Sequence, residues 1–323
     1  MQLALLLQRT RFYCRNNEKS CYPTGSQFHG GNKLIPGPFT YHPPSSVAEA
    51  IAVLAAHGDE ARPLAGGHSL IPMMKLRMAT PEHLVDLGAI KELSGIRADG
   101  ADLVIGATTT QAELIKSDLL AAKAPIIRET ALQIADPQIR SKGTLGGNVA
   151  NGDPGNDMPA VMQCLNARYV LHGKGGERIV AARDFYQGAY FTALQEGEIL
   201  VAVRIPTPAA GHGSSYEKLK RKIGDYATAA TAVILTVSGG KVASAAVTLT
   251  NVASTPLFAE EAGRLVIGSA CDAATIKRAA EAAKAITDPA TDGRGTAAYR
   301  REMAGVMTAR ALVKAFARAK TGA

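Results

Sequence analysis

The stretch Thr144-Leu145-Gly146-Gly147-Asn148-Val149-Ala150-Asn151-Gly152-Asp153-Pro154-Gly155-Asn156-Asp157 constrains this chain more than any other. Its fourteen residues hold four glycines, three asparagines and two aspartates, with one large aliphatic pair, Leu145 and Val149. Paired glycines open φ > 0 to the backbone and let bare amides approach a bound group. Asn148, Asn151 and Asn156 can turn the chain through side chain–backbone hydrogen bonds. Amides and hydroxyls converging without side-chain bulk form a nest for an anion such as phosphate. A single Gly-Gly is equally at home in an ordinary surface loop. Upstream, however, Ala65-Gly66-Gly67-His68-Ser69 repeats the same hydroxyl-and-glycine chemistry, and two such segments can grip the two halves of a pyrophosphate.

Around these segments the pattern is α+β. Ser46 and Glu49 have the spacing of a capping box, opening a helix that Gly58 stops. A strand over 61–65 runs directly into Gly66, and another covers 83–87. This is a small parallel βαβ unit with a loop at its ligand end. It lacks the G-x-G-x-x-G of a Rossmann dinucleotide unit. Beyond Ile90 the sequence predicts a strand over 103–107, helices over 110–120, 126–134 and 158–165, and strands over 167–172, 178–181 and 199–205. These make a second unit with a mainly antiparallel sheet. Residues 206–213 read as a linker. Three strands follow, over 215–220, 228–237 and 242–251, with Gly239-Gly240 as the hairpin between the last two. Helices over 256–267, 272–286 and 296–320 close the chain. On the last, Tyr299, Met303, Val306, Met307 and Val313 share one face, expected to be core. Arg310 falls on that face, either snorkelling to its edge or pairing at a subunit contact. The division expected is 34–209, with subdomains of about 34–88 and 89–209, then 213–320.

A formal charge of +8 raises the question of nucleic acid, and its distribution answers it. Residues 1–33 carry +4 and residues 294–323 carry +6, leaving the body at −2. With no tryptophan and 5% aromatic residues, the stacking surface that single strands need is also lacking. Residues 1–33 are polar, basic and unpatterned after a short apolar run at 3–7, too short for a signal-peptide core. They read as a disordered extension or a mis-assigned start. Gly30-Gly31 is what a translated purine-rich ribosome-binding site looks like, with Leu34 an alternative start. Cys14, Cys21, Cys164 and Cys271 show no C-x-x-C spacing, hence no zinc or iron–sulfur signature. A reduced, cytoplasmic chain is the simplest reading. No apolar run approaches the ~18–20 residues of a membrane span.

Few residues suggest catalysis. His68 has no triad spacing around it but offers a donor beside any phosphate. His42, His57, His83 and His172 look incidental. Asp136, Asp153 and Asp157 lie close in sequence without the alternating ligands and terminal Glu of a calcium loop. The dense run Lys218-Leu219-Lys220-Arg221-Lys222-Ile223-Gly224-Asp225-Tyr226 suits a ligand phosphate, an acidic partner surface or a strand edge guarded by lysines. Tyr226 can present its face to a flat ring.

Taken together, A-G-G-H-S (65–69), I-A-D-P-Q-I-R (134–140), T-L-G-G-N (144–148), N-G-D-P-G-N-D-M-P-A (151–160) and K-L-K-R-K-I-G-D-Y-A-T-A-A (218–230) resemble one family. It is that of the medium, FAD-binding subunits of molybdenum hydroxylases, with closest likeness to the medium chains of aerobic carbon monoxide dehydrogenases. The resemblance runs from about Ile35 to Lys320. It implies a PCMH-type FAD-binding domain followed by a flavoprotein domain of a three-stranded antiparallel sheet and a helix bundle. It implies an oxidoreductase subunit that relays electrons from a small [2Fe–2S] subunit through FAD to an acceptor such as quinone. A large subunit carrying the molybdenum cofactor oxidises the substrate, and the whole is expected as a dimer of heterotrimers. The complex has no transmembrane segment in this chain, and the resemblance leaves open a position at the inner face of the cytoplasmic membrane. Ala65, Gly66, Gly67, His68 and Ser69, with Thr144, Leu145, Gly146, Gly147 and Asn148, would hold the pyrophosphate through backbone amides and the two hydroxyls. Asp157 would bind ribityl or neighbouring hydroxyls, Ile134 and Leu200 would wall the ring system, and Lys220 and Tyr226 would lie near the flavin. No residue is expected to be catalytic or to hold a metal. An aldehyde-, nicotinate- or xanthine-type hydroxylase subunit, or a phosphate-binding scaffold without enzymatic role, are the alternatives.

Overall fold

The computed structural model describes residues 35–321; the expectations for residues 1–33, Cys14 and Cys21 included, lie outside them. The chain opens with a parallel three-stranded sheet in the order β1-β3-β2. Its strands are β1 (Thr40–His42), β2 (Ala61–Leu64) and β3 (His83–Asp86), with helix α1 (Val47–His57) packed on one face. Ser46 caps α1 by accepting the Glu49 N–H at 3.2 Å. The return bond of the capping box goes elsewhere: the Glu49 carboxylate accepts the Ser45 N–H at 2.7 Å and the Ser45 hydroxyl at 2.9 Å. Gly58, at φ 48°, ends the helix. A short helix α2 (Leu70–Lys75) follows the first glycine segment. The face under α1 is buried by Ala50, Leu54 and Val85 together with Val170, Ile199 and Val201 of the next sheet. The small sheet therefore shares its core with the next one.

That second sheet is antiparallel throughout, in the order β4-β5-β10-β6-β7. β4 (Ile96–Asp99) and β5 (Asp102–Gly106) form a hairpin. β4 escapes the sequence reading because it is a short, largely exposed edge strand with one apolar residue, Ile96. The expected helix over 110–120 is two: α3 (Gln111–Lys116), with a complete Thr110–Glu113 capping box, and α4 (Asp118–Lys123). Ser117 breaks it by capping the second piece, its hydroxyl accepting the Leu120 N–H at 3.3 Å. Four more short helices follow: α5 (Pro125–Ala131), α6 (Pro137–Arg140), α7 (Leu145–Ala150) and α8 (Met158–Cys164). The stretch 144–157, expected as a loop, thus begins with a turn and a half of helix. Strands β6 (Arg168–Gly173) and β7 (Gly176–Ala181), a small ribbon of β8 (Tyr186–Gly188) and β9 (Phe191–Thr192), and β10 (Ile199–Pro206) complete the unit.

After a short connection, a sheet of β11 (Gly213–Leu219), β12 (Ala229–Ser238), β13 (Lys241–Thr250) and β14 (Leu257–Phe258) forms. It has four strands, not three, because Leu257-Phe258, inside the range expected as helix (256–267), is a two-residue edge strand and the helix begins only at Glu260. Gly239 and Gly240, at φ 56° and 76°, make the hairpin between β12 and β13. Helices α9 (Glu260–Val266), α10 (Ala273–Ala285) and α11 (Ala297–Thr321) cover one face. The face expected to be buried on α11 is the wrong one. Met307 is buried, but Tyr299, Val306 and Val313 are 46%, 37% and 54% exposed, and Arg310 is exposed with them. The helix instead buries Ala304, Thr308, Ala311, Leu312 and Ala315, a stripe of small residues that brings it close to β11 and β12. Reading only the large side chains selected the opposite stripe.

Gly213 marks the closest approach: a Cβ there would land on the Ala315 carbonyl. Gly213→Ala is expected to destabilise the protein by about 1–3 kcal/mol through overpacking, measured by urea denaturation. Gly175→Ala, where a Cβ meets nothing within 4 Å, should be neutral. Equal effects would mean the helix can move aside freely.

Candidate functional site

A cleft of about 370 Å³ opens where the small sheet, the second sheet and the C-terminal unit meet. At one end the two glycine segments touch. Gly67, at φ 76°, turns the chain after β2. A Cβ on Gly66 would fall on the Lys142 carbonyl and 2.8 Å from Gly143 Cα. The two segments therefore pack backbone on backbone, and Gly66 is required for distance, not for dihedral freedom. Ala65, Gly66, Gly67, His68 and Ser69 all line the cleft. Among the described residues nothing accepts a hydrogen bond from the backbone N–H groups of Gly66, Gly67, His68 or Ser69, so these donors are available to a ligand.

The second segment is built differently. Leu145 and Gly146 N–H groups donate to the Thr109 and Ala107 carbonyls at 2.9 and 2.8 Å. The Gly147 N–H donates to Thr144 Oγ1 at 3.0 Å and the Asn148 N–H to the Thr144 carbonyl at 3.1 Å. The amides expected to face an anion here are already committed to the fold. Neither Gly146 nor Gly147 has a positive φ, because both lie in α7. Gly146 is glycine for packing, since a Cβ would sit 2.6 Å from the Ala107 carbonyl oxygen. From this segment Thr144, Gly146, Gly147 and Asn148 line the cleft. Leu145 lies in the main core and does not line it. Asn156 braces this turn by donating Nδ2 to the Asn148 carbonyl at 2.7 Å.

Farther along, Ile134 and Leu200 form apolar wall. Asp157, just before α8, is buried and joined to β11. Tyr216 donates to its Oδ1 at 2.5 Å and Lys218 Nζ to its Oδ2 at 2.8 Å. Burial pushes the carboxyl above the usual carboxylate range, against the pull of Lys218 and Tyr216. Lys218, not Lys220, is the lysine on the cleft. Lys220 lies just past the end of β11 at Leu219, where burial and the neighbouring Lys218 lower its pKa. The rest of the basic run is divided among separate tasks: Arg221 bonds Asp225 at 2.8 Å and the Gly293 carbonyl at 2.9 Å. Tyr226 stands half-exposed at the mouth, packed so tightly on Gly155 that a Cβ there would come within 2.6 Å of its ring. Burial and the nearby Asp153 carboxylate push its phenol up. Two of the lining residues that the sequence did not single out as site residues are Lys218 and Gln111. Lys218 was one cation among four, and Gln111 sat inside an ordinary helix. Gln111 lines the cleft but is buried, with its Oε1 unpartnered.

Residues 37–208 match the family described as FAD binding domain in molybdopterin dehydrogenase. The chain belongs to that family. Residues 214–315 match the CO dehydrogenase flavoprotein C-terminal domain, so the two matches meet at the connection before β11. The carbon monoxide dehydrogenase medium chain of Afipia carboxidovorans is 66% identical over 287 residues, covering 89% of this chain and 100% of that one. The corresponding chain of Hydrogenophaga pseudoflava is 50% identical over 285 residues, covering 88% and 99%. Among solved structures, reconstituted CO dehydrogenase from Oligotropha carboxidovorans contains a chain that superposes with a TM-score of 0.87 at 66% identity, covering 88% of this chain and 100% of that one. As a member of the FAD-binding family, this chain carries its cleft between both matched regions.

Lys218 and Asp157 are 1% and 6% exposed in their side chains, so removing one strands the other. Lys218→Met is expected to destabilise the protein by about 3–5 kcal/mol, and Asp157→Asn combined with Lys218→Met to recover most of the loss, both read from urea denaturation. A double variant as unstable as Lys218→Met would overturn the pairing as the source of the effect.

Proposed function

We propose that this chain is the FAD-binding medium subunit of an aerobic carbon monoxide dehydrogenase. The observation that carries the reading is the likeness to a CO dehydrogenase medium chain along that chain's full length, together with a cleft whose donors suit a dinucleotide. When bound, FAD supplies the redox chemistry, accepting electrons and passing them on, and the protein supplies placement. The unpartnered amides of 66–69 and the hydroxyls of Ser69 and Thr144 hold the pyrophosphate. His68, beside Gly143, adds a donor at the same end. Gly147 leaves its Cα bare so that the phosphates can approach the backbone. The Asn148 carboxamide meets a hydroxyl of the cofactor.

Asp157 works from behind this row. Its two oxygens are committed to Tyr216 and Lys218, so its share in binding is to fix the lysine at the cleft wall and to accept from a cofactor hydroxyl where a lone pair remains. Ile134 and Leu200 exclude water from one side of the ring system, and Tyr226 presents its face at the mouth. Lys220 contributes field without contact. The partners are a large subunit with the molybdenum cofactor, which converts CO and water to CO₂, and a small subunit with two [2Fe–2S] clusters. They assemble as a dimer of heterotrimers that hands electrons to quinone. No helix among the described residues is long and apolar enough to cross a membrane, so any attachment to the inner face of the cytoplasmic membrane is peripheral and made through the complex.

Gly147→Val should abolish flavin binding, with Gly147→Ala intermediate, because a branched side chain occupies the space the phosphates need. Flavin absorbance of the purified chain, beside a far-UV circular dichroism spectrum that checks folding, measures it. Full flavin occupancy in a folded Gly147→Val protein would remove 144–148 from the pyrophosphate site. Co-expression with the large and small subunits should yield a complex with CO-dependent dye reduction. A complex oxidising an aldehyde or N-heterocycle and not CO would replace the substrate.

A further inference from the structure

Three histidines that look incidental in sequence come together on the small sheet. His42 ends β1, His57 ends α1 and His83 begins β3. One ligand nitrogen from each lies within 4.8 Å of the others, and His42 Nε2 is 2.9 Å from His83 Nδ1. The His57 and His83 rings stack at 3.5 Å between centroids and 17° between planes, with the His42 ring 5.2 and 5.6 Å from them. All three are half-buried. We propose that His42, His57 and His83 form a binding site for a divalent transition cation of the zinc class, separate from the cofactor cleft.

Imidazole is a preferred ligand of Zn²⁺, at about 2.0–2.1 Å, and three histidines with one open position is a coordination set zinc takes. Tetrahedral geometry at that bond length sets the nitrogens about 3.4 Å apart. The His42–His83 pair, hydrogen-bonded at 2.9 Å, is already slightly inside that spacing; the His57 and His83 rings stack face to face and cannot both point a lone pair at one ion, so binding turns one of them out of the stack. The ion would lie at the C-terminal end of α1, where the unpaired carbonyls of the last turn favour a positive charge. The location separates this site from the flavin cleft. His83 pairs in register with Ala61, at the start of β2, while the glycine segment follows Leu64 at the opposite end, which pairs with Asp86. The ligands come from β1, α1 and β3, so one ion would clip the helix to the sheet. That matters here because the small sheet has only three short strands.

The test uses the FAD-loaded full chain without an affinity tag, dialysed against Zn²⁺ and then against a weak chelator, with bound metal measured by mass spectrometry. One zinc per chain is expected, bound through nitrogen at about 2.0 Å in X-ray absorption, and a thermal midpoint raised by a few degrees with zinc. His57→Gln and His83→Gln should each weaken retention by about tenfold or more while keeping full flavin content, which shows them folded. His172→Gln, whose ring pairs with Glu177 at 3.0 Å, and His29→Gln, outside the described residues, should retain zinc. Absence of retained zinc in the parent chain, equal retention in His57→Gln, or loss in His29→Gln would each overturn the site.

Discussion

The buried pair of Asp157 and Lys218 is the constraint on which the cleft depends. A carboxylate and an ammonium taken out of water are tolerable only together, and here each comes from a different half of the chain. Asp157 belongs to the region matching the FAD-binding domain, Lys218 to the region matching the flavoprotein C-terminal domain. Tyr216, two residues earlier on the same strand face, closes the remaining oxygen, and Lys218 also reaches the Gln133 carbonyl at 3.4 Å. Displacing β11 from α8 would leave two charges and a phenol without partners. The main apolar core agrees with this arrangement, since Ile126, Leu145 and Leu200 share one cluster with Tyr216 and Ala230. The two matched regions are therefore one folded body around the site, and Tyr226 can hold a fixed place at its mouth.

The fold was legible in the sequence wherever local chemistry decided it. The Thr110 and Ser46 caps, the stop at Gly58 and the Gly239-Gly240 turn need only neighbours in the chain. The failures share a physical cause: partners that lie far away. A short polar strand such as Ile96–Asp99 exists because β5 pairs with it, and nothing within it announces that. The buried face of α11 is made of alanines because the sheet lies close, so a reading weighted by side-chain size turned the helix round. The site was legible as a set of residue types but not as a geometry. Lys218 and Lys220 are indistinguishable until the end of β11 at Leu219 and the position of Asp157 are known. His42, His57 and His83 are separated by fourteen residues and more, so only the parallel sheet puts them together.

The two glycine segments show why the same composition can do two jobs. Both are short turns rich in glycine and hydroxyl, and both look like anion nests. In 66–69 the chain leaves its amides without acceptors, and the cost of exposing them is offset only when water or a ligand anion supplies one. In 144–148 the amides close onto Ala107, Thr109 and Thr144, and the glycines serve distance instead. Gly146 lets the helix rest on Ala107, and Gly66 lets the first segment rest on Lys142. The second segment is thus the rigid floor against which the first is pressed. Packed against that floor, the amides of the first keep no acceptor among the described residues. Two of the four cations of 218–222 are spent on the fold itself, Lys218 on Asp157 and Arg221 on Asp225 and the Gly293 carbonyl.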